Sequence, residues 1–120
     1  MAIGSHLILI VEDEEEARTA LTQIFEFEGF RVAAVSNGAE ALDYLVKSEA
    51  PCLIVLDIRM PVMDGPQLRG ALLQDSRWAK IPVIVVTALD PSAAAGLSPV
   101  RVLRKPVDVD VLLTVVQQHC

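Results

Sequence analysis

Asp57 ends the apolar run Cys52-Leu53-Ile54-Val55-Leu56, and the acidic pair Glu12-Asp13 ends another, Leu7 to Val11. Apolar runs of this length fit strands buried on both faces, as in a parallel sheet covered by helices. A carboxylate at the carboxyl end of such a strand stands where open α/β sheets place their ligands. Thr87 follows a third run, Ile81 to Val86, and Lys105 comes soon after a fourth, Val100 to Leu103. Two like charges about 4 Å apart repel by roughly 4 kcal/mol at an effective dielectric of 20. Carboxylates gathered at one sheet edge must therefore hold protons or bind a cation. No histidine or cysteine lies beside them in sequence. An all-oxygen set selects a hard ion, magnesium before calcium, because the chain has no long calcium loop. A lysine and a hydroxyl beside a metal-bound carboxylate suit a transferring phosphoryl group, whose oxygens they neutralise or hydrogen-bond. A carboxylate can itself be the nucleophile and become an acyl phosphate.

The elements that must position these groups are legible as periodicity. Glu14, Glu15 and Glu16 open a helix, since acids in a first turn favour the positive end of its dipole. Ala17, Ala20, Leu21, Ile24 and Phe25 share one face of it, and Gly29 stops it. Arg31 to Val35 is a second strand. Asn37 caps the next helix, whose apolar side is Ala41, Leu42 and Leu45. Ile58 to Pro66 is a loop shaped by two prolines and a glycine. Pro66 suits the first turn of a third helix, with Leu68, Leu72 and Leu73 inward. Asp90-Pro91 reads as an N-cap and first helical residue, but Gly96 and Pro99 leave only about two turns between them. Asp108 caps a last helix with Val109, Leu112, Leu113 and Val116 inward. Val111 and Val115 fall off that stripe and offer an apolar contact patch.

Strands and helices alternate five times. That predicts a flavodoxin-like, doubly wound five-stranded parallel sheet of order 2-1-3-4-5 with a short or irregular fourth helix. Strands 1 and 3 are then neighbours, and Glu12, Asp13 and Asp57 meet where the winding reverses.

The bulk properties agree. The chain has 120 residues, 52% hydrophobic and 22% charged, which fits one globular domain over residues 1–120. No apolar run approaches the roughly 20 residues of a membrane span, and Met1 to Ile10 lacks the features of a signal peptide. A net charge of −6 argues against direct contact with nucleic acid. Cys52 and Cys120 give no disulfide framework, and a reducing cytoplasm is the expected location. Met60 and Met63 read as loop packing, His6 and His119 as solvated, and Trp78 as packing at a helix end.

Taken together, Glu12-Asp13, Asp57, Met60-Pro61-Val62-Met63-Asp64-Gly65, Thr87-Ala88 and Lys105-Pro106 resemble the receiver domains of two-component response regulators. The resemblance covers nearly all of the chain, with the motifs in the family's order. It implies that Asp57 is the phosphoacceptor. It implies that Asp13, Asp57 and the backbone carbonyl of Arg59 ligate Mg²⁺ directly, with Glu12 acting through water. Lys105 would pair with the phosphoryl group, Thr87 would swing toward it, and the Lys105-Pro106 bond would be cis. The implied donor is a histidine kinase or histidine phosphotransfer domain. The implied recipient is a downstream protein or a fused output domain, with dimerisation left open.

Two departures from the family stand out. Receivers usually carry an aromatic three residues before the lysine, and here that position is Val102. The stretch from Ala88 to Arg104 is also shorter than usual, on the surface that receivers commonly use for output. These departures keep open a pseudo-receiver, an interaction module working without phosphorylation. An aspartate-nucleophile phosphatase would want a second aspartate two residues after the nucleophile, where Arg59 stands. A flavin module would want a hydroxyl- and glycine-rich phosphate loop after the first strand, and none is there.

Overall fold

The structure is a computed structural model that describes residues 6–58, 63–94 and 96–120. Its elements are β1 (Leu7–Val11), α1 (Glu15–Phe27), β2 (Arg31–Val35), α2 (Gly38–Lys47), β3 (Leu53–Asp57), α3 (Gly65–Leu73), β4 (Val83–Thr87), the 3₁₀ turn η1 (Pro91–Ala94), β5 (Arg101–Arg104) and α4 (Val109–His119). The strands form one sheet of order β2-β1-β3-β4-β5, every pair parallel. This is the flavodoxin-like winding expected from the alternation of elements.

Every residue of β1, β3 and β4 is buried, because helices cover both faces of the sheet. One core layer joins Leu9, Leu56 and Val85 to Leu45 and Leu68, and the other joins Ile10, Val55 and Val86 to Phe25 and Leu112. The helix starts are set by local chemistry. Asn37 accepts from Glu40 N at 2.9 Å, and Asp108 accepts from Val111 N at 3.2 Å. At α3, Asp64 and Gln67 satisfy each other's backbone N–H groups, both at 3.0 Å, in a capping box. Among the described residues, no helix is long and apolar enough to cross a membrane.

The fourth helical segment is reduced to the four residues of η1. Asp90 starts it by accepting from Ser92 N at 2.9 Å. Gly96 and Ser98 then take positive φ values of 89° and 51°, which end the turn and feed β5.

Three expectations need correction. The face of α4 toward the core is Leu112, Val115 and Val116, so Val115 is not part of an outer patch, and Val109 is exposed. All these positions are apolar, and the stripes 112/113/116 and 112/115/116 have equally good helical spacing. Second, His6 is half-buried and stacks on Phe30, with ring centroids 6.3 Å apart. Third, Cys52 and Cys120 join in a disulfide, with Cα atoms 5.3 Å apart across 68 residues of sequence. In a doubly wound fold each helix runs back against the strands, so the C-cap of α4, Cys120, lands beside the start of β3. Trp78 is buried as expected, under the Arg77 guanidinium, which lies 4.3 Å from the ring centroid.

Candidate functional site

Strand register brings the site together. Val11 stands opposite Leu56, Asp57 opposite Val86, and Thr87 opposite Arg104. The residues that end or follow these strands, Glu12, Asp57, Thr87 and Lys105, therefore arrive at one edge of the sheet. Side by side they line a cleft together with Asp13, Glu14, Ala88 and Leu89.

Glu12, Asp13 and Asp57 each offer a carboxylate oxygen, and these oxygens lie within 4.8 Å of one another. Glu12 is 2% exposed and Asp57 is 8% exposed, whereas Asp13 faces solvent. Lys105 reaches across them. Its Nζ donates to Glu12 Oε1 at 2.8 Å and lies 3.5 Å from Asp57 Oδ2. Burial opposes ionisation of Glu12, but the Lys105 ammonium and the Glu14 N–H outweigh it and hold its pKa below the ordinary range. Burial likewise works against the charge on Lys105, and the hydrogen bond to Glu12 with the field of Asp57 overcomes it and raises the pKa. The lysine is thus a fixed cation held between two acids.

The β1–α1 loop carrying the acid pair is held from behind. Arg18 Nη1 donates to the carbonyl oxygens of Glu12 at 2.9 Å and Asp13 at 3.2 Å. Thr87 is buried, and its hydroxyl oxygen accepts from Leu89 N at 2.9 Å, which folds the loop after β4 back on itself. The Lys105-Pro106 bond is cis, as the resemblance implied. Gly65 supports Asp57 from the α3 side: its N–H donates to Ile58 O at 2.8 Å, and an added Cβ would stand 2.8 Å from Ile58 Cα and 3.0 Å from Asp57 O.

Of the residues singled out from sequence, Glu12, Asp13, Asp57, Thr87 and Lys105 meet in this one cleft. Arg59, expected to lend a backbone carbonyl, lies outside the described residues, as do Met60, Pro61 and Val62. Sequence reasoning passed over Arg18 and Arg69. Arg69 is buried on α3, and its Nε and Nη2 donate to Leu97 O at 2.7 Å and Ser98 O at 3.2 Å. It straps the segment after η1 to the core. One arginine on an otherwise ordinary helix carries no local signal of such a partner.

The donor set suits a hard divalent ion. All three groups are carboxylates, two are held nearly dry, and the third is open to solvent where an ion keeps its water. The response regulator receiver domain family matches residues 8–117. The chain belongs to that family. It is 33% identical over 118 residues to the sporulation initiation phosphotransferase F of Bacillus subtilis, covering 93% of this chain and 91% of that one. It is 38% identical over 82 residues to response regulator Rre1 of a Synechocystis strain, covering 68% of this chain but only 35% of that longer protein. Among solved structures, a response regulator from Thermotoga maritima in complex with Mg²⁺ and beryllofluoride superposes with a TM-score of 0.85 at 26% identity, covering 96% of this chain and 99% of that one.

Proposed function

We propose that residues 1–120 are a single receiver domain that accepts a phosphoryl group on Asp57. The observation that carries this reading is the placement of Lys105 Nζ 3.5 Å from Asp57 Oδ2, beside the cluster of three carboxylates. Asp57 ends a fully buried strand, so its carboxylate is pre-positioned, and an oxygen of it attacks the phosphorus of the donor's phosphohistidine; the O–P bond of an acyl phosphate forms as the P–N bond breaks and the donor imidazole leaves. Lys105 gives up part of its contact with Glu12 to the incoming oxygens. The Thr87 hydroxyl leaves Leu89 N–H and donates to the same group. Glu12, Asp13, Asp57 and the carbonyl of Arg59 would hold Mg²⁺. Once bound, the ion neutralises charge on the transferring group. The chain catalyses only its own modification and its reversal, and it turns over no separate substrate.

The donor is a histidine kinase or histidine phosphotransfer domain in the cytoplasm. The recipient of the signal is a downstream protein or a fused output domain. Membrane and nucleic acid are not direct partners. The phosphoryl group brings about −1.5 to −2 charges to the sheet edge in place of the single charge of the Asp57 carboxylate, and release of the Thr87–Leu89 bond passes that change to η1 and β5.

A second reading has its own support. Val102, where receivers carry an aromatic, is half-buried against the core, and η1 replaces a full helix on the output side. Both favour a pseudo-receiver that binds a partner without phosphorylation. Fluorine NMR of the protein with Mg²⁺ and beryllofluoride separates the two. The first reading expects bound-fluoride resonances that vanish with EDTA or in Asp57→Asn. Their absence from the unsubstituted protein favours the second.

A further inference from the structure

We propose that Cys52 and Cys120 are a second modification site, a dithiol that exchanges with small disulfides and, when oxidised, clamps the last helix to the central strand. The fold sets the two residues side by side. The Cα atoms are 5.3 Å apart, inside the range a disulfide spans without backbone movement. Cys52 is fixed at the entry to β3, where its N–H donates to Leu7 O at 2.8 Å. Cys120 caps α4, and its N–H donates to Val116 O at 2.9 Å. Both side chains pack on the core layer of Phe25, Leu112 and Val116, yet both remain half-exposed, so a small thiol or disulfide can reach them.

The two ends of β3 then carry two separate chemistries. Cys52 lies five residues before Asp57, about 16–17 Å along an extended strand. Oxidation at one end need not disturb acceptance at the other. In the folded state the clamp acts on the last turn of α4, while the loop it closes across 68 residues restricts the unfolded chain. Leu112, Val115 and Val116 hold the body of the helix in the core, while Gln117, Gln118 and His119 are exposed. Reduction therefore frees the terminal turn and leaves the fold intact.

The step balances with a glutathione-type disulfide as oxidant. One cysteine thiolate attacks a sulfur of the donor disulfide and expels a first thiolate. The second cysteine thiolate attacks the resulting mixed disulfide and expels the other. The protein loses two thiol protons and two electrons, and the donor becomes two thiols.

The test uses the whole chain, equilibrated with reduced or oxidised glutathione, quenched with N-ethylmaleimide and weighed intact. The reduced protein should carry two maleimides. The oxidised protein should carry none, run as a monomer, and recover both labels after dithiothreitol. Its Tm should rise by roughly 10 °C, and amide exchange at residues 117–119 should slow. Cys120→Ser and Cys52→Ser should each abolish the differences in Tm and exchange. Two labels after oxidation, persistent glutathione adducts, disulfide-linked dimers, failure of dithiothreitol to restore the labels, or an intramolecular disulfide that leaves Tm and exchange unchanged would each overturn the proposal.

Discussion

Lys105 Nζ stands 2.8 Å from Glu12 Oε1 and 3.5 Å from Asp57 Oδ2, although 93 residues separate the lysine from the glutamate. This shared cation is what lets the acids sit at one sheet edge. Replacing it by methionine leaves buried carboxylates facing each other. Lys105→Met should lose on the order of 1–2 kcal/mol of stability in EDTA, a modest figure because the lysine side chain is 26% exposed. Added Mg²⁺ should raise the Tm of the variant more than that of the parent, while modification of Asp57 becomes much slower. Thermal melts with and without Mg²⁺ check this. An unchanged response to Mg²⁺ would show that the lysine does not compensate the acids.

Gly65 is the point where α3 touches the backbone at the end of β3. A methyl group there meets Ile58 Cα at 2.8 Å and Ile58 O at 3.2 Å, and these backbone atoms cannot turn aside. Gly65→Ala should cost about 1–3 kcal/mol. It should also slow Asp57 phosphorylation, because the carboxylate moves with its strand end. Gly70, which has open space at its Cβ position, provides the control: Gly70→Ala should be neutral or stabilising by up to about 1 kcal/mol in both EDTA and Mg²⁺.

Arg69 strain-locks the turn after η1. Ser98, a residue with a β-carbon at a φ of 51°, is held there by Arg69 Nη2 on its carbonyl. Arg69→Met keeps the apolar stem but abandons two carbonyls, one of them Leu97 O in the core. It should cost about 1–3 kcal/mol and speed hydrogen exchange across residues 89–100, with β1 and β3 unaffected. Uniform loss of protection over the sheet would contradict the local role.

Much of this was legible because apolar runs ending in polar residues define strand ends, and strand ends define the site. Glu12, Asp13, Asp57, Thr87 and Lys105 were readable for that reason. Asn37 and Asp108 were readable as caps because each short acceptor side chain precedes an apolar helical stripe. Asp64 and Gln67 carried the spacing of a capping box, which the prolines around them masked. The rest needed three dimensions. Arg69 bonds to carbonyls 28 and 29 residues away, which no local pattern encodes. Cys120 meets Cys52 only after α4 docks. The buried stripe of α4 was ambiguous because its valines and leucines fill nearly every turn.

Val102 pairs with Val85 and packs against the layer containing Ala94 and Leu97. A tyrosine at 102 cannot fit that space without displacing η1. Val102→Tyr should therefore change exchange rates in residues 89–98 and leave the rate of Asp57 modification intact. A large loss of phosphorylation would place Val102 in the acceptor chemistry instead of on the output side.

Intact mass spectrometry after incubation with acetyl phosphate tests the central claim most directly. With Mg²⁺ the protein should gain the mass of one phosphoryl group, labile to hydroxylamine as an acyl phosphate is, and the gain should be absent in EDTA and in Asp57→Asn. An unmodified protein in Mg²⁺, or an equal gain in Asp57→Asn, would contradict it.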